Sequence, residues 1–279
     1  MAVVLFALGG CDVDDSPVAT QPPVATATSA ASAHSHSGAG MSIPMGDGTV
    51  AQQSGYTLRG VRLPRRAGEP GRVSFVVEDH RGSPKKRYLV EQTKRIHVSV
   101  VRADLAVYRH VHPEMRPDGT WVGHLTLPEP GDYRVVAEFI ARDEGGGGDH
   151  VLLGDEVTVG EGARAVPAVT EAADWGVEAR AVGDLVAGEK QDLRIRLTRP
   201  DGSAPALGQY LGSSAHLTGF HIGTGSAVHM RPRGAPEVGS DGVDLVVEAE
   251  LPVRGRYLLF LQVRVDEFLH ILRVPVTAS

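Results

Sequence analysis

Three histidines, His97, His110 and His112, stand close together in the run from Arg95 to Pro113, R-I-H-V-S-V-V-R-A-D-L-A-V-Y-R-H-V-H-P. Imidazole is a ligand for copper and zinc, and three imidazoles gathered on one ion leave a coordination position for a water or a fourth side chain. Whether they gather depends on the strand register. Apolar residues alternate at Ile96, Val98 and Val100, and again at Val107 and Val111, which is the period of a half-buried strand. With Asp104-Leu105 as a two-residue loop, Arg102 faces Val107 and His97 faces His112. Opposed residues share a face, so the three imidazoles leave one side and the valines the other. A slip of one residue would send His97 into the valine face. Opposed Cβ atoms lie ~5 Å apart and i,i+2 neighbours ~7 Å apart, so three ring nitrogens can converge at ~2 Å from an ion. This places the histidines on the outward, solvent-facing side of the ribbon. Met115, just past Pro113, is a candidate thioether ligand and Glu114 a candidate oxygen. Imidazole ligates only when neutral, so metal affinity is expected to fall below pH ~6.5.

The pattern repeats. The interval from His97 to His110 recurs from His216 to His229, and the proline that follows, Pro113, recurs as Pro232. An Asp-Gly comes next in each copy, at Asp118-Gly119 and Asp241-Gly242. Then comes L-P-x-x-G-x-Y, at Leu127 to Tyr133 and at Leu251 to Tyr257. Blocks agreeing in order over roughly a hundred residues indicate two tandem domains of one fold. The copies differ at one place, where His112 is matched by Arg231. His216 and His229 therefore form a reduced ligand pair, and the first copy is the better ion site.

Short alternating strands separated by turn signals predict an all-β fold: two tandem immunoglobulin-like antiparallel β-sandwiches, over 54–160 and 175–279, joined by a linker at 161–174. Tyr133 and Tyr257 open a strand after a corner, where a tyrosine hydroxyl bonds back to the main chain. The chain has 279 residues, a net charge of −6 and no basic run, which argues against nucleic acid as a partner. Nucleophile-elbow, P-loop, zinc-protease and dinucleotide motifs are absent from the sequence, and a non-enzymatic protein is expected.

Cys11 is the single cysteine, so an intramolecular disulfide is excluded. Residues 2–8 are apolar, and Leu8-Gly9-Gly10-Cys11 has the form of a bacterial lipobox. The expectation is a signal peptide over 1–11, lipidation at Cys11, and a protein held on the extracellular face of the cell membrane. The apolar run is too short to span a bilayer, which needs ~20 residues. No Lys or Arg precedes Cys11, so a charged n-region is expected upstream of Met1. Residues 12–53 are rich in Ala, Ser, Thr, Pro and Gly and read as a disordered tether. His34, His36, Met41 and Met45 lie within it and could scavenge metal.

The hairpin, followed by D-G-T-W and L-P-E-P-G-D-Y-R-V-V-A-E-F, resembles the secreted actinobacterial lipoproteins of unassigned function that carry tandem immunoglobulin-like domains and an HxHP hairpin. More loosely the chain is similar to the copper-handling CopC-like and YtkA-like periplasmic domains. That resemblance implies copper as the ion, with zinc second, at His97, His110 and His112, and at His216 and His229 as the reduced pair. The expected function is binding of a transition metal for storage, delivery or protection. The alternative is a non-enzymatic immunoglobulin-like interaction module that binds an envelope protein and no metal.

Overall fold

The structure is a computed structural model that describes residues 44–160 and 176–279. Cys11, His34, His36 and Met41 lie outside the described residues, as does the linker up to residue 175. Gly40–Ser279 forms one compact unit that holds both repeats.

The first repeat contains ten strands: β1 (Gln52–Gln53), β2 (Tyr56–Arg62), β3 (Pro70–Glu78), β4 (Tyr88–Leu89), β5 (Ile96–Arg102), β6 (Tyr108–Val111), β7 (Glu114–Met115), β8 (Thr120–Thr126), β9 (Gly131–Arg142) and β10 (Gly148–Val159). One sheet has the order β1-β2-β3-β8-β7. The other has the order β10-β9-β5-β6, with β4 beside β9. This is the ABED and GFCC′ arrangement of an immunoglobulin-like sandwich. Alternation along the strands sends Val73, Phe75, Val77, Val98, Val100, Trp121, Tyr133 and Phe139 into one core between the sheets.

The second repeat follows with β11 (Glu178–Val182), β12 (Lys190–Thr198), β13 (Leu207–Gly208), β14 (His216–His221), β15 (Ala227–Pro232), β16 (Glu237–Val238), β17 (Val243–Glu250), β18 (Gly255–Val265) and β19 (Phe268–Ala278). Here β15 serves both sheets. Its first part pairs with β14, and Arg231 and Pro232 pair with β17. The first repeat makes the same crossing at Pro113 as two separate strands, β6 and β7. Tyr133 and Tyr257 are the expected corner residues: each hydroxyl donates to the main-chain carbonyl four residues back, at 2.6 Å to Glu129 and 2.7 Å to Val253.

The hairpin register is the valine-burying one. Val98 lies opposite Val111 and Ser99 opposite His110, and Arg102 N–H donates to Val107 O at 2.9 Å. The expected solvent exposure of the histidine face is corrected. All seven residues of β5 and all six of β14 are buried, which requires cover on both faces of each strand. One face is the sandwich core. The other packs against the other repeat, because between the histidines it carries apolar side chains too large to leave in water. Val101, Leu105, Tyr108, Val136 and Leu152 of the first repeat meet Phe220, Ala227, Leu258 and Phe260 of the second in a third hydrophobic cluster. Tyr108 and Phe260 stack at 4.2 Å between centroids.

The tether expected over 12–53 is also corrected at its end. Met45 forms a parallel bridge with Val151, and its side chain packs on the first core. The segment fits because Gly154 has no side chain: a Cβ there would stand 1.8 Å from Gly48 O. Asp47 O then accepts the Ala227 N–H at 2.7 Å, which ties the segment to the second repeat.

Phe260→Ala opens a cavity in the layer that joins the repeats. Truncation of a buried Phe costs ~3–5 kcal/mol, and chemical denaturation is expected to show a loss in this range. A loss below ~1 kcal/mol would mean that the third cluster does not hold the sandwiches together.

Candidate metal centre at the interface of the sandwiches

Burying the two histidine-bearing faces against each other brings the repeats' imidazoles together. The His110 and His216 rings stack at 4.2 Å, His97 and His216 at 5.1 Å, and His97 and His110 at 5.4 Å. His112 closes on His110 at 4.5 Å and on His97 at 5.0 Å. One ring nitrogen from each of His97, His110 and His216 lies within 4.8 Å of the others. The cluster therefore takes three rings from the first repeat and one from the second. His229 stands beside it, 5.6 Å from His216. Met115 does not join: it sits on β7, in the opposite sheet, and packs on the first core. Glu114, its neighbour on that strand, is exposed.

The tautomers follow from the partners. His97 Nε2–H donates to Glu91 O at 3.1 Å, His110 Nδ1–H to Gln262 Oε1 at 2.6 Å, and His216 Nδ1–H to Gln92 Oε1 at 2.5 Å. The second nitrogen of each ring then carries a lone pair. His97 Nδ1, His110 Nε2 and His112 Nε2 are buried and have no hydrogen-bond partner. His216 Nε2 has only Thr218 Oγ1, at 3.5 Å. Metal-binding imidazoles are oriented in this way, with one nitrogen fixed by an oxygen acceptor and the other turned to the ion.

The orienting groups come from specific local structure. Glu91 and Lys94 exchange both main-chain hydrogen bonds around Gln92-Thr93, a tight turn in which both central residues take positive φ, 42° and 67°. A β-branched residue such as Thr93 is strained there. The turn sets Glu91 O on His97 and Gln92 Oε1 on His216. Gln262 stands directly opposite His216 on β18, as Glu138 stands opposite His97 on β9.

Glu91, Glu138 and His150 form an adjoining group that the sequence reading passed over, with ligand atoms within 4.8 Å of one another. His150 Nε2 lies 2.6 Å from Glu138 Oε1, and His229 Nδ1 lies 2.8 Å from Glu138 Oε2. Burial alone would raise the Glu138 carboxyl. The two imidazoles, His229 foremost, outweigh that and hold it well below the ordinary carboxylate range. A signal was present: a polar residue follows the repeated tyrosine at the same distance in both copies, Glu138 after Tyr133 and Gln262 after Tyr257, each within an otherwise apolar strand.

Burial pushes the His97 imidazole down to about 4 and the His112 imidazole down to about 3. His110 and His216 lie well below the usual imidazole value, from burial first and then from neighbouring rings. The rings are thus neutral, in ligating form, well below the pH ~6.5 expected from an ordinary histidine. Three buried, neutral imidazoles with ring nitrogens within 4.8 Å of one another could hold one borderline cation of the copper and zinc kind.

The sequence of a family described as "Domain of unknown function (DUF8832)" matches residues 51–146 and 170–279. The chain belongs to this family. Both matched segments contribute to the histidine cluster. No curated protein matches the chain. Among solved structures, it is similar to InvD of Yersinia pseudotuberculosis, at 10% identity over 80% of this chain and 56% of that one, with a TM-score of 0.23. It is also similar to invasin, a bacterial integrin-binding protein, at 16% identity over 80% and 39%, with a TM-score of 0.22. A titin Z1Z2 tandem aligns at 13% identity over 80% and 99%, with a TM-score of 0.20. The chain spans about half the length of InvD and less of invasin.

The depressed imidazole values fix how the metal-free protein responds to acid. Between the unfolded value near 6.5 and the folded values near 3 to 4, the unfolded chain binds protons that the folded chain refuses. Stability from this source is therefore whole above pH ~6.5 and is lost as pH falls toward 4. Each pKa unit corresponds to ~1.4 kcal/mol, so in chelator the Tm is expected to drop steeply across that window. His110→Asn should flatten the drop. A Tm that stays level from pH 7 to 4.5 would contradict buried, neutral rings.

Proposed function

We propose that this protein binds a transition metal, with copper preferred, between its two immunoglobulin-like sandwiches, and that it is not an enzyme. The observation that carries this reading is that ring nitrogens of His97, His110 and His216 lie within 4.8 Å of one another while His97 Nδ1, His110 Nε2 and His112 Nε2 are buried without hydrogen-bond partners. An unpaired polar atom of this kind costs ~1–3 kcal/mol each, and a shared cation would satisfy all of them.

His97, His110 and His216 would hold the ion, with His112 as the fourth imidazole. Ligands at ~2.0–2.1 Å in a tetrahedral arrangement stand ~3.3 Å apart. Nitrogens spread over as much as 4.8 Å would need to draw in by about an ångström or more. Copper is favoured over zinc by charge. The donors are neutral and dry, and the cost of burying an ion grows with the square of its charge, so a monovalent ion fits with least penalty. Lipidation at Cys11 would hold the protein at the outer face of the membrane, where the site would serve storage, delivery or protection.

The second reading is an interaction module of the cell envelope that binds no metal. It is favoured by the third hydrophobic cluster, which closes the interface without an ion. The two are separated by titrating the protein anaerobically with Cu(I) supplied from a chromophoric chelate, and in parallel with Zn(II). One Cu(I) per chain is expected, with a rise in Tm. His110→Ala and His216→Ala, one from each repeat, should each weaken binding more than about 100-fold. Gln262→Ala and Gln92→Ala, which release the orienting bonds, should weaken it ~10–100-fold. Met115→Leu should change nothing. Indifference of the wild type to both ions would leave the interaction module as the function.

A further inference from the structure

The two halves of the interface use equivalent positions and end differently. In the first half His110 turns Nδ1–H to Gln262 and leaves Nε2 without a partner. In the second half His229 sets Nδ1 2.8 Å from Glu138 Oε2, and its Nε2 accepts the Arg231 Nε–H at 3.3 Å. Glu138 and Gln262 occupy matching places, each directly opposite the first histidine of its repeat. Arg231 occupies the place of His112. Its Nη2 lies against Glu91 Oε1. The same ring nitrogen is therefore open in one half and covered in the other by a cation that belongs to the chain.

We infer that the His229 half is a second cation site, formed by His229, His150, Glu138 and Glu91, whose resident cation is the Arg231 side chain, so that an external divalent ion enters only when Arg231 is removed. This rests on reading the His97, His110 and His216 half as a metal site.

Charge and donor type support the inference. Glu91 and Glu138 are both buried, at 8% and 5% exposure, and two buried carboxylates require positive charge beside them. A guanidinium stays protonated under all ordinary conditions and supplies that charge permanently. Arg231 bonds the imidazole with Nε and meets the carboxylate with Nη2, so it spans the ligand atoms an ion would take. The donor set differs from that of the first half. It mixes carboxylate oxygens with imidazole nitrogens, which suits a divalent ion such as Zn(II) better than Cu(I). Two differences between the repeats thus divide the work: Arg231 against His112 sets the number of ions the interface admits, and Glu138 against Gln262 sets the charge class of the second half.

The test uses the full chain preloaded with one equivalent of Cu(I), then titrated with Zn(II) by equilibrium dialysis with elemental analysis. Wild type is expected to take up no zinc at the interface, and so is Arg231→Lys, which keeps the charge. Arg231→Ala and Arg231→His should each take up one zinc, lost again on adding Glu138→Gln. Near-UV circular dichroism establishes that the variants are folded, and Arg231→Gln replaces either one that is not. One zinc bound at the wild-type interface and removed by Glu138→Gln would overturn the inference, as would folded Arg231→Ala and Arg231→His that bind none. Failure of the Cu(I) loading step would instead sink the reading of the first half, while zinc uptake confined to the Arg231 variants would leave the second half standing.

Discussion

The structure turns on two strands with no face to spare. β5 and β14 each bury one side in their own sandwich and the other against the opposite repeat. The face left over from the first core would be the wet side of an ordinary two-sheet domain. Here it carries Val101 and Tyr108 in one repeat and Phe220 in the other, and the apolar cluster they form closes the sandwiches on each other. The histidines share those faces and are dehydrated along with them. Their neutrality, their tautomers and their mutual stacking all follow from that closure, since each ring must find an oxygen for its N–H inside the interface.

Much of this was legible in the chain. The alternation of Ile96, Val98 and Val100 against Val107 and Val111 specified the hairpin register, because only one alignment buries all five. The repeat of Pro113, Asp118-Gly119 and the Leu127 to Tyr133 block specified two copies of one sandwich, and the corner hydrogen bonds of Tyr133 and Tyr257 follow from those blocks. What could not be read was which face meets which. Period-two alternation says that Ser99 and Tyr108 lie on the histidine side and does not say that a second domain will cover it. The contacts of His216 with Gln92 and of His110 with Gln262 depend on docking between segments more than a hundred residues apart, and the group of Glu91, Glu138 and His150 depends on packing within the first repeat. Met115 was misplaced for a related reason. Pro113 lacks an N–H and lies where the chain leaves one sheet for the other, so a residue two positions later lies across the core from the histidines.

Repetition accounts for the layout and its asymmetry together. Two copies of one sandwich packed through the same face place equivalent residues on either side of the junction, and each residue then contributes to two environments. Gln262 orients a histidine of the first repeat, and Glu138 does the corresponding work for the second. Once both halves lie in one chain, each can diverge. Glutamine opposite His216 keeps the first half neutral. Glutamate opposite His97, with Glu91 and Arg231 nearby, makes the second half a closed set of charges.

Cost gives the strongest reason to see more than packing in the first half. Layers of Tyr108, Phe220 and Phe260 beside the histidines show that this interface can be closed with apolar side chains. Replacing a buried polar cluster by apolar groups of similar volume is commonly neutral or stabilising, whereas three unpaired ring nitrogens cost ~1–3 kcal/mol each. In the second half charged groups lie close at hand: His229 stands beside Glu138 and Arg231, and Glu91 beside Arg231. The first half has orienting bonds on His97, His110 and His216, while the second ring nitrogens of His97 and His110, and Nε2 of His112, have no partner. An arrangement that fixes imidazoles on one side and leaves buried ring nitrogens unsatisfied makes energetic sense when a further positive group completes it.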